Sequence, residues 1–487
     1  MKQRAELVFI PAMGIGHLVP MMEFAKRLLD RDDRFSITVL VIKSLSVSDF
    51  TSYTDSLADS LPRLRFIHLP NLDPPPSSSN LRTRESIVSV LVETHKPLVK
   101  QTISNLFLSD SDSESVPTRT ALAGLVIDIF CTTLIDVGNE LGVPSYIFFT
   151  STAGLLGLFL HLPELHNQID TDFKDSVTEL SIPNFTNPVP PSVLPLPLWS
   201  KKNDGYDWYV YHGRRFKEAK GIIVNTFAEL EPTALNSFSG GRIRAPPVYP
   251  VGPLIDLHGQ VHNQTRLEES IKGWLDDQPP SSVVFLCFGS RGSFGAAQVK
   301  EIALGLERSG HRFLWCLRRQ PEKDKLASPT DYENTGEVLP EGFLDRTEGR
   351  GLVCGWVPQT AVLAHRAIGG FVSHCGWNSI LESLCFGVPI AAWPLYAEQH
   401  LNAFEMVREL GGLVVELRLD YRGGGDLVTA EEVERGVSRL MDSHCEVRMR
   451  VKEIMEKRKR ALMDDGSSFT SLGCFIKDVM GESSSGI

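Results

Sequence analysis

The chain has 487 residues, 42% hydrophobic and 22% charged, which is enough apolar material for two ordinary cores and too much length for one. Its net charge of −11 argues against a nucleic-acid binder, a class that carries a basic surplus. The eight cysteines are scattered, none forms a CxxC pair and most sit in apolar runs, so they read as reduced core residues of a cytoplasmic protein.

In chain order, Leu7–Ala12 reads as a strand. Its apolar part, Leu7–Ile10, is too short for a signal-peptide core and runs into Pro11, Gly14 and Gly16. A helix follows over His17–Asp30, then strands Ile37–Ile42 and Leu64–Leu69, a helix over Arg82–Phe107 and a strand over Gly124–Asp128. Next come a helix over Thr132–Leu141, a strand over Ser145–Phe149, a helix over Thr152–Leu160 and a strand over Ile222–Asn225. This alternation predicts a parallel sheet covered on both faces. The weakly charged stretch Pro144–Pro163 is interrupted by Thr150, Ser151 and Thr152, so it reads as buried strand plus buried helix and not as a membrane span. Asp73–Asn80, Ser109–Ser115 and Pro183–Pro197 read as surface excursions. In a reducing compartment the sequons at Asn184 and Asn263 are chance matches.

A domain boundary is expected near Gly252–Ser270, where proline-rich Ala245–Pro253 gives way to the polar stretch His258–Thr265. Beyond it the theme repeats. Val283–Phe288, Arg312–Leu317, Leu352–Gly355, Gly370–Val372, Ile390–Trp393 and Gly412–Val415 are strand-like, with helices between them. Ser467–Val479 reads as a last helix with apolar Phe469, Leu472, Phe475 and Ile476.

The chemistry concentrates in Trp356–Gln399. A strand ends in Ser373-His374-Cys375-Gly376, and a helix opens at Trp377-Asn378-Ser379 and runs to Phe386. Such a turn puts backbone N–H groups and a positive dipole end at the loop, a phosphate-binding arrangement. Glu382 lies one turn deeper on the face of Asn378, where a carboxylate could hold ribose hydroxyls. Trp356, at a strand end, offers a stacking face for a flat base. Taken singly, His374 reads as a satisfied structural histidine, Trp356 as core and Glu382 as a solvated charge. The combination at fixed spacing reads as a nucleotide site.

This segment resembles the signature box of plant secondary-product UDP-glycosyltransferases, the family 1 glycosyltransferases with the GT-B fold. FIPAMGIGHLVPMMEFAKRL, LAGLVIDIFCTTLIDVGNELGVPSYIFFTSTA and FLCFGSRGSF resemble further parts of the same family, so the resemblance covers nearly the whole chain. It implies an α/β protein of two Rossmann-like domains, with parallel sheets facing a central cleft and the C-terminal helix returning to the first domain. Residues 1–252 with 467–487 would bind the acceptor, and residues 253–466 the UDP-sugar. The implied co-substrate is UDP-glucose, with no metal and no other cofactor. The implied reaction is a single, inverting displacement onto a hydroxyl of a small apolar acceptor, such as a flavonoid, another phenolic or a terpenoid. The implied working unit is a monomer with no nucleic-acid or membrane partner.

Carried over by position, the resemblance implies that Trp356 stacks on uracil and that the Val357 backbone pairs with the base. Gln359 and Glu382 would hold the ribose, and Ser290, His374, Asn378 and Ser379 the diphosphate. Thr150, Trp377, Glu398 and Gln399 would approach the sugar, and Gln at position 399 goes with glucose in the family where His goes with galactose. Two positions depart from the family pattern. Ile380 replaces the usual Thr, and Arg291 follows Ser290 in place of a small or apolar residue. Arg291 reads either as a cation at the acceptor mouth or as a solvated charge.

His17 follows the first strand and Asp128 ends the Gly124–Asp128 strand. Parallel sheets gather functional groups at the carboxyl ends of strands, so the two could meet. A neutral imidazole oriented by a carboxylate suits proton abstraction from a hydroxyl. The family uses such a dyad at these positions. Ile15, Phe130, Leu155, Phe159, Leu196 and Trp199 are candidates for an apolar acceptor pocket in the first domain.

Three rivals fit less well. A nicotinamide-dependent oxidoreductase would need a third glycine where Val19 stands after Gly14-Ile15-Gly16. A metal-dependent glycosyltransferase would need a DxD, and Asp110-Ser111-Asp112 lies in an acidic, serine-rich run. A non-catalytic UDP-sugar binder would have no use for His17 with Asp128.

Overall fold

The central strands of the first half are short apolar runs buried on both faces, as parallel sheets require, and burial falls off toward the edges. A computed structural model describes residues 4–42, 51–72, 83–107, 121–257, 268–321, 328–423 and 425–482. Asp73–Asn80, Ser109–Ser115 with its Asp110-Ser111-Asp112, and the His258–Thr265 stretch with Asn263 lie outside the described residues. The first sheet holds β1 (Ala5–Ile10), β2 (Phe35–Ile42), β3 (Leu64–Leu69), β4 (Ala121–Asp128), β5 (Ser145–Phe149), β6 (Gly221–Val224) and β7 (Val248–Pro250). All pair in parallel, in the order β3-β2-β1-β4-β5-β6-β7. The chain therefore builds outward from β1 in one direction, returns, and continues from β4 in the other.

Three local features differ from the expectation from sequence. β7 lies in the proline-rich stretch that precedes the expected boundary, where no strand is expected. It is an edge strand paired only to β6, so Pro250 costs no ladder hydrogen bond on its open side. The helix expected to end at Leu160 runs over Ala153–Gln168, through Pro163. The carbonyl that Pro163 leaves without its helical donor is that of Phe159. Gly213 approaches it so closely that a Cβ would lie 2.1 Å from that oxygen. Asn184 is 2% exposed, and its amide donates to the carbonyls of Ala153 and Gly154 at 3.2 and 2.9 Å, so this sequon is interior.

The second sheet repeats the order. It contains β8 (Val283–Cys287), β9 (Arg312–Cys316), β12 (Gly351–Cys354), β13 (Ile368–Ser373), β14 (Ile390–Ala392) and β15 (Val414–Glu416), arranged β12-β9-β8-β13-β14-β15 and parallel throughout. A two-residue antiparallel pair, β10 (Arg318–Arg319) with β11 (Thr330–Asp331), stands beside it. The last strand starts later than expected because Gly411 and Gly412 form a left-handed turn, with φ of 77° and 72°. Its core centres on Phe313, Trp315 and Trp393.

The chain divides into two compact units. One comprises Met1–Pro191, Pro197–Ile255 and Arg460–Ile487, and the other Ser192–Leu196 and Asp256–Lys459. Among the described residues no helix is long and apolar enough to cross a membrane.

The C-terminal helix Ser467–Val479 belongs to the first unit. Phe475 is fully buried among Phe24, Tyr146 and Tyr249, with ring centroids 5.1 to 5.6 Å away. Asp478 accepts from the Tyr249 and Tyr146 hydroxyls at 3.1 and 3.4 Å, and Arg31 stacks over Phe469 at 3.4 Å. Ser468 donates to the Gly252 carbonyl at 2.6 Å, fastening the helix start. Phe475→Ala should therefore cost about 3–5 kcal/mol of stability in urea unfolding of the first unit. A loss below about 1 kcal/mol would show that this helix is only loosely docked.

Candidate functional site

In the first sheet, β2 and β4 flank β1, so the loops leaving the carboxyl ends of β1 and β4 run to opposite sides and open a crevice between them. His17 stands in the first turn of helix Ile15–Arg31, just after β1, and Asp128 is the last residue of β4. His17 Nδ1 lies 2.9 Å from Asp128 Oδ2, across 111 positions of sequence. The Asp128 carboxylate is fully buried, whereas the imidazole is 26% exposed. Asp128 Oδ1 accepts the backbone N–H of Phe130 at 3.1 Å, which sets the carboxylate's rotation. An ionised Asp128 requires the proton on Nδ1, leaving Nε2 as the basic atom. Thr150, after β5, brings its hydroxyl within 3.4 Å of His17 Nδ1.

Two further devices support this edge. Thr152 caps helix Ala153–Gln168 by accepting from Leu155 N–H at 2.8 Å. Glu231, 1% exposed, accepts from Gly154 N–H at 3.0 Å at the same helix start, and burial raises its pKa. Glu231 was not legible in the sequence, because nothing within its own neighbourhood marks it as a partner of residue 154.

The six acceptor candidates separate. The Phe130 ring comes within 5.8 Å of the His17 ring, and Ile15 lies at the same helix start. Leu155 and Phe159 are 3% and 1% exposed and pack within the first unit. Phe159 stacks on Tyr209 at 4.7 Å and against Phe216 at 5.4 Å. Trp199 is half-buried, whereas Leu196 is 58% exposed and groups with the second unit. Periodicity alone could not separate these, since core and pocket positions share one apolar pattern.

In the second sheet the same reversal falls between β8 and β13. Gly289 and Ser290 follow β8, and His374 follows β13. The His374 ring is wedged between two glycines: a Cβ on either Gly289 or Gly376 would lie 2.6 Å from its Nε2. Gly289 also has a φ of 73°, a second reason for glycine there. His374 is 6% exposed, and burial lowers its pKa to about 4, so it is a neutral donor near pH 7. Its Nδ1 is buried and has no hydrogen-bond partner among the described residues.

Helix Trp377–Phe386 opens on Gly376 without a side-chain cap. Its positive end is therefore available to an anion. Trp377 is 3% exposed. Ile380 is fully buried and serves the core. Cys375, just before the cap, has a φ of 62°, and its carbonyl accepts from Asn402 Nδ2 at 3.0 Å. A non-glycine residue held there costs on the order of 1–3 kcal/mol, a cost that structure elsewhere must offset.

Gln359 ties the proposed ribose and diphosphate groups together, its Nε2 donating to Ser379 Oγ at 2.8 Å and to Glu382 Oε2 at 2.6 Å. Burial, with Asp256 nearby, holds the Glu382 carboxyl up at about 7 against the donation from Gln359. Trp356 is half-buried, and its backbone N–H donates to Asp331 on β11 at 3.1 Å, while Val357 is buried. Gln399 commits its carbonyl oxygen to the N–H groups of Leu395 and Tyr396, at 2.9 and 3.0 Å, leaving the amide nitrogen beside the Tyr396 hydroxyl. Arg291 is half-buried, and its charge and that of Glu398 act in opposite directions on Tyr396, whose pKa burial raises. Among the described residues no group of three His, Cys, Asp or Glu could hold a metal ion.

The family model described as UDP-glucoronosyl and UDP-glucosyl transferase matches residues 247–459. The chain is 52% identical to UDP-glycosyltransferase 71K1 of Malus domestica, over 99% of this chain and 100% of that one. It is 48% identical to UDP-glucose flavonoid 3-O-glucosyltransferase 6 of Fragaria ananassa, over 98% and 99%. Among solved structures it is similar to UGT71G1 of Medicago truncatula complexed with UDP-glucose, with TM-score 0.87, 45% identity, and 98% and 99% of the two chains covered. A transferase of Siraitia grosvenorii in complex with UDP gives TM-score 0.84 and 46% identity, over 98% and 100%. Two parallel sheets of matching strand order and full-length identity near one half lead to one conclusion: the chain is a GT-B protein of the UDP-glucoronosyl and UDP-glucosyl transferase family.

Proposed function

We propose that this protein transfers glucose from UDP-glucose to a hydroxyl of a small apolar acceptor, a flavonoid, another phenolic or a terpenoid, with inversion at the anomeric carbon. The observation that carries the reading is the 2.9 Å contact between His17 Nδ1 and Asp128 Oδ2 at the switch point of the first sheet. His17 Nε2 takes the acceptor hydroxyl proton as the oxygen attacks the anomeric carbon. The bond from that carbon to the UDP oxygen breaks, and the electron pair leaves with UDP. Asp128 stabilises the imidazolium that forms. The first unit supplies the acceptor side, with Phe130 and Ile15 against the acceptor. The second supplies the donor side: Trp356 and the Val357 backbone for the base, Gln359 and Glu382 for the ribose. Ser290, His374, Asn378 and Ser379 meet the diphosphate. Thr150, Trp377, Glu398 and Gln399 meet the sugar. The uncapped helix start and the neutral His374 support stabilisation of the leaving UDP by dipoles, without a metal. The free cysteines support a reducing, cytoplasmic setting, and we infer a monomer.

His17→Ala should lower kcat on an aliphatic alcohol acceptor by about 10²–10⁴ while leaving UDP affinity within about twofold. Asp128→Ala should also lower kcat, and the double variant should lose little more than His17→Ala alone, since the pair acts as a unit. Retention of more than about a tenth of wild-type kcat in His17→Ala would refute the assignment.

The donor amide of Gln399 is the group that senses sugar geometry. UDP-glucose should exceed UDP-galactose in kcat/KM by at least about tenfold, and Gln399→His should narrow that ratio. Equal use of both donors by the unaltered protein would remove Gln399 from this role.

Glu382 adds a pH dependence. An ionised carboxylate accepts strongly at both oxygens, whereas the protonated form turns one of them into a donor and accepts more weakly at the other. With its pKa near 7, Glu382 is mostly protonated at pH 6 and ionised at pH 8. The affinity for UDP-glucose, whose diphosphate does not titrate in this window, should rise about tenfold between those pH values. Calorimetry on Glu382→Gln should give a flat profile; the same slope in both proteins would assign the titration elsewhere.

A further inference from the structure

Behind the dyad lies a buried histidine that the proposed reaction does not use. Asp128 is held from its own turn, through Oδ1 and the Phe130 N–H. That turn is tight: Cys131 N–H bonds back to the Asp128 carbonyl at 2.8 Å, and a single 3-10 turn, Thr132–Leu134, begins at once. Any drift of Thr132 therefore carries Phe130 and Asp128 with it. The Phe130 ring faces His17 at 5.8 Å, and its other neighbours are Tyr209 at 6.2 Å and His212 at 5.7 Å.

His212 sits on helix Asp204–Arg215 and is 0% exposed. Both ring nitrogens are engaged with hydroxyls of other elements. Nε2 lies 2.9 Å from Ser89 Oγ on helix Arg84–Phe107, and Nδ1 lies 2.7 Å from Thr132 Oγ1. One ring face stacks on Trp208 at 5.6 Å. Burial, reinforced by Arg215, lowers its pKa to about 3, so it stays neutral at any working pH. A neutral imidazole donates at one nitrogen and accepts at the other, and a hydroxyl serves as partner to either. The ring thus spans two elements in a fixed direction, which an apolar side chain of the same volume would not do.

We infer that His212 is a positioning residue for the dyad: by joining Thr132 to Ser89 and backing Phe130, it fixes the turn that orients Asp128 and the ring that packs on His17. This rests on the reading of His17 as the base. Asp128 is the charged partner of His17, with the Thr150 hydroxyl beside it, and the Arg84 guanidinium reaches Gly14 at the start of the His17 helix. The charge bearing on His212 is Arg215, itself paired with Asp136 and Glu218.

The test compares His212→Phe, which keeps the ring and removes both nitrogens, with Thr132→Val, which removes one hydroxyl at nearly constant volume. Each is assayed on an alcohol acceptor beside His17→Ala, with active sites counted by UDP binding. Both variants should lower kcat per UDP-binding site by about tenfold, with acceptor KM and UDP-glucose affinity changed less than about threefold. The acid limb of the kcat–pH profile should move to lower pH by about half a unit, because a displaced Asp128 favours the imidazolium less. A role in folding alone would lower thermal stability and the number of binding sites, with kcat per site and the pH profile unchanged, and that result would overturn the inference. If His212→Phe does not fold, Thr132→Val carries the same test, and a wild-type profile there is equally fatal. If His17→Ala stays active, the base assignment fails and this inference with it. If His17→Ala is inactive while both clamp variants match wild type, only the role of His212 falls.

Discussion

Strand order is the constraint on which the rest of this molecule depends. In a parallel sheet all carboxyl ends open along one edge, and only where the order reverses do neighbouring loops part and leave room for a ligand. Both sheets reverse once, at β1/β4 and at β8/β13. His17 and Asp128 stand at the first reversal, and Gly289, Ser290 and His374 at the second. Two connected facts follow from one topology. Residues 111 positions apart become hydrogen-bond partners, and a helix start is brought against a glycine loop from a distant strand.

Burial moves His374 and Glu382 of the second site toward their neutral forms. His374 is packed too tightly between Gly289 and Gly376 to be solvated as a cation, and its pKa falls accordingly. Burial raises the Glu382 carboxyl to about 7. What the site offers an anion is therefore oriented N–H groups and an uncapped helix end, which need little reorganisation as charge moves onto a leaving phosphate. The backbone cost at Cys375 and at Ala397, with φ of 62° and 53°, belongs to the same construction. Both lie in loops whose neighbours over-determine them: Asn402 grips the Cys375 carbonyl, and Gln399 gathers the N–H groups that precede Ala397.

The first site is supported in layers. Asp128 is placed by its own turn, the turn by Phe130 and Thr132, and these by an aromatic group that includes Tyr209 and His212. Tyr209 in turn stacks on Phe159, so the helix that follows Thr150 and Thr152 packs against the same aromatic group that backs Phe130. The chain's end closes the far side of the same sheet, with Phe475 among Phe24, Tyr146 and Tyr249.

Much of this was legible in the sequence because it is local. Short apolar runs marked β1, β2, β4 and β5, a glycine-bounded turn marked the start of helix Trp377–Phe386, and apolar spacing marked helix Ser467–Val479. Family resemblance named the residues around both reversals. Tertiary structure alone decided matters that depend on partners remote in the chain. It put β7 at a sheet edge, where proline is harmless, and carried a helix through Pro163 against Gly213. It divided the six acceptor candidates between core, surface and the neighbourhood of His17. It also gave Glu231 and His212 their tasks, since a buried carboxylate at a helix start and an imidazole between two hydroxyls are defined by what lies across space from them. Propensity and periodicity act over one or two turns of chain, whereas burial, pKa and hydrogen-bond direction are set by groups that the fold brings from elsewhere.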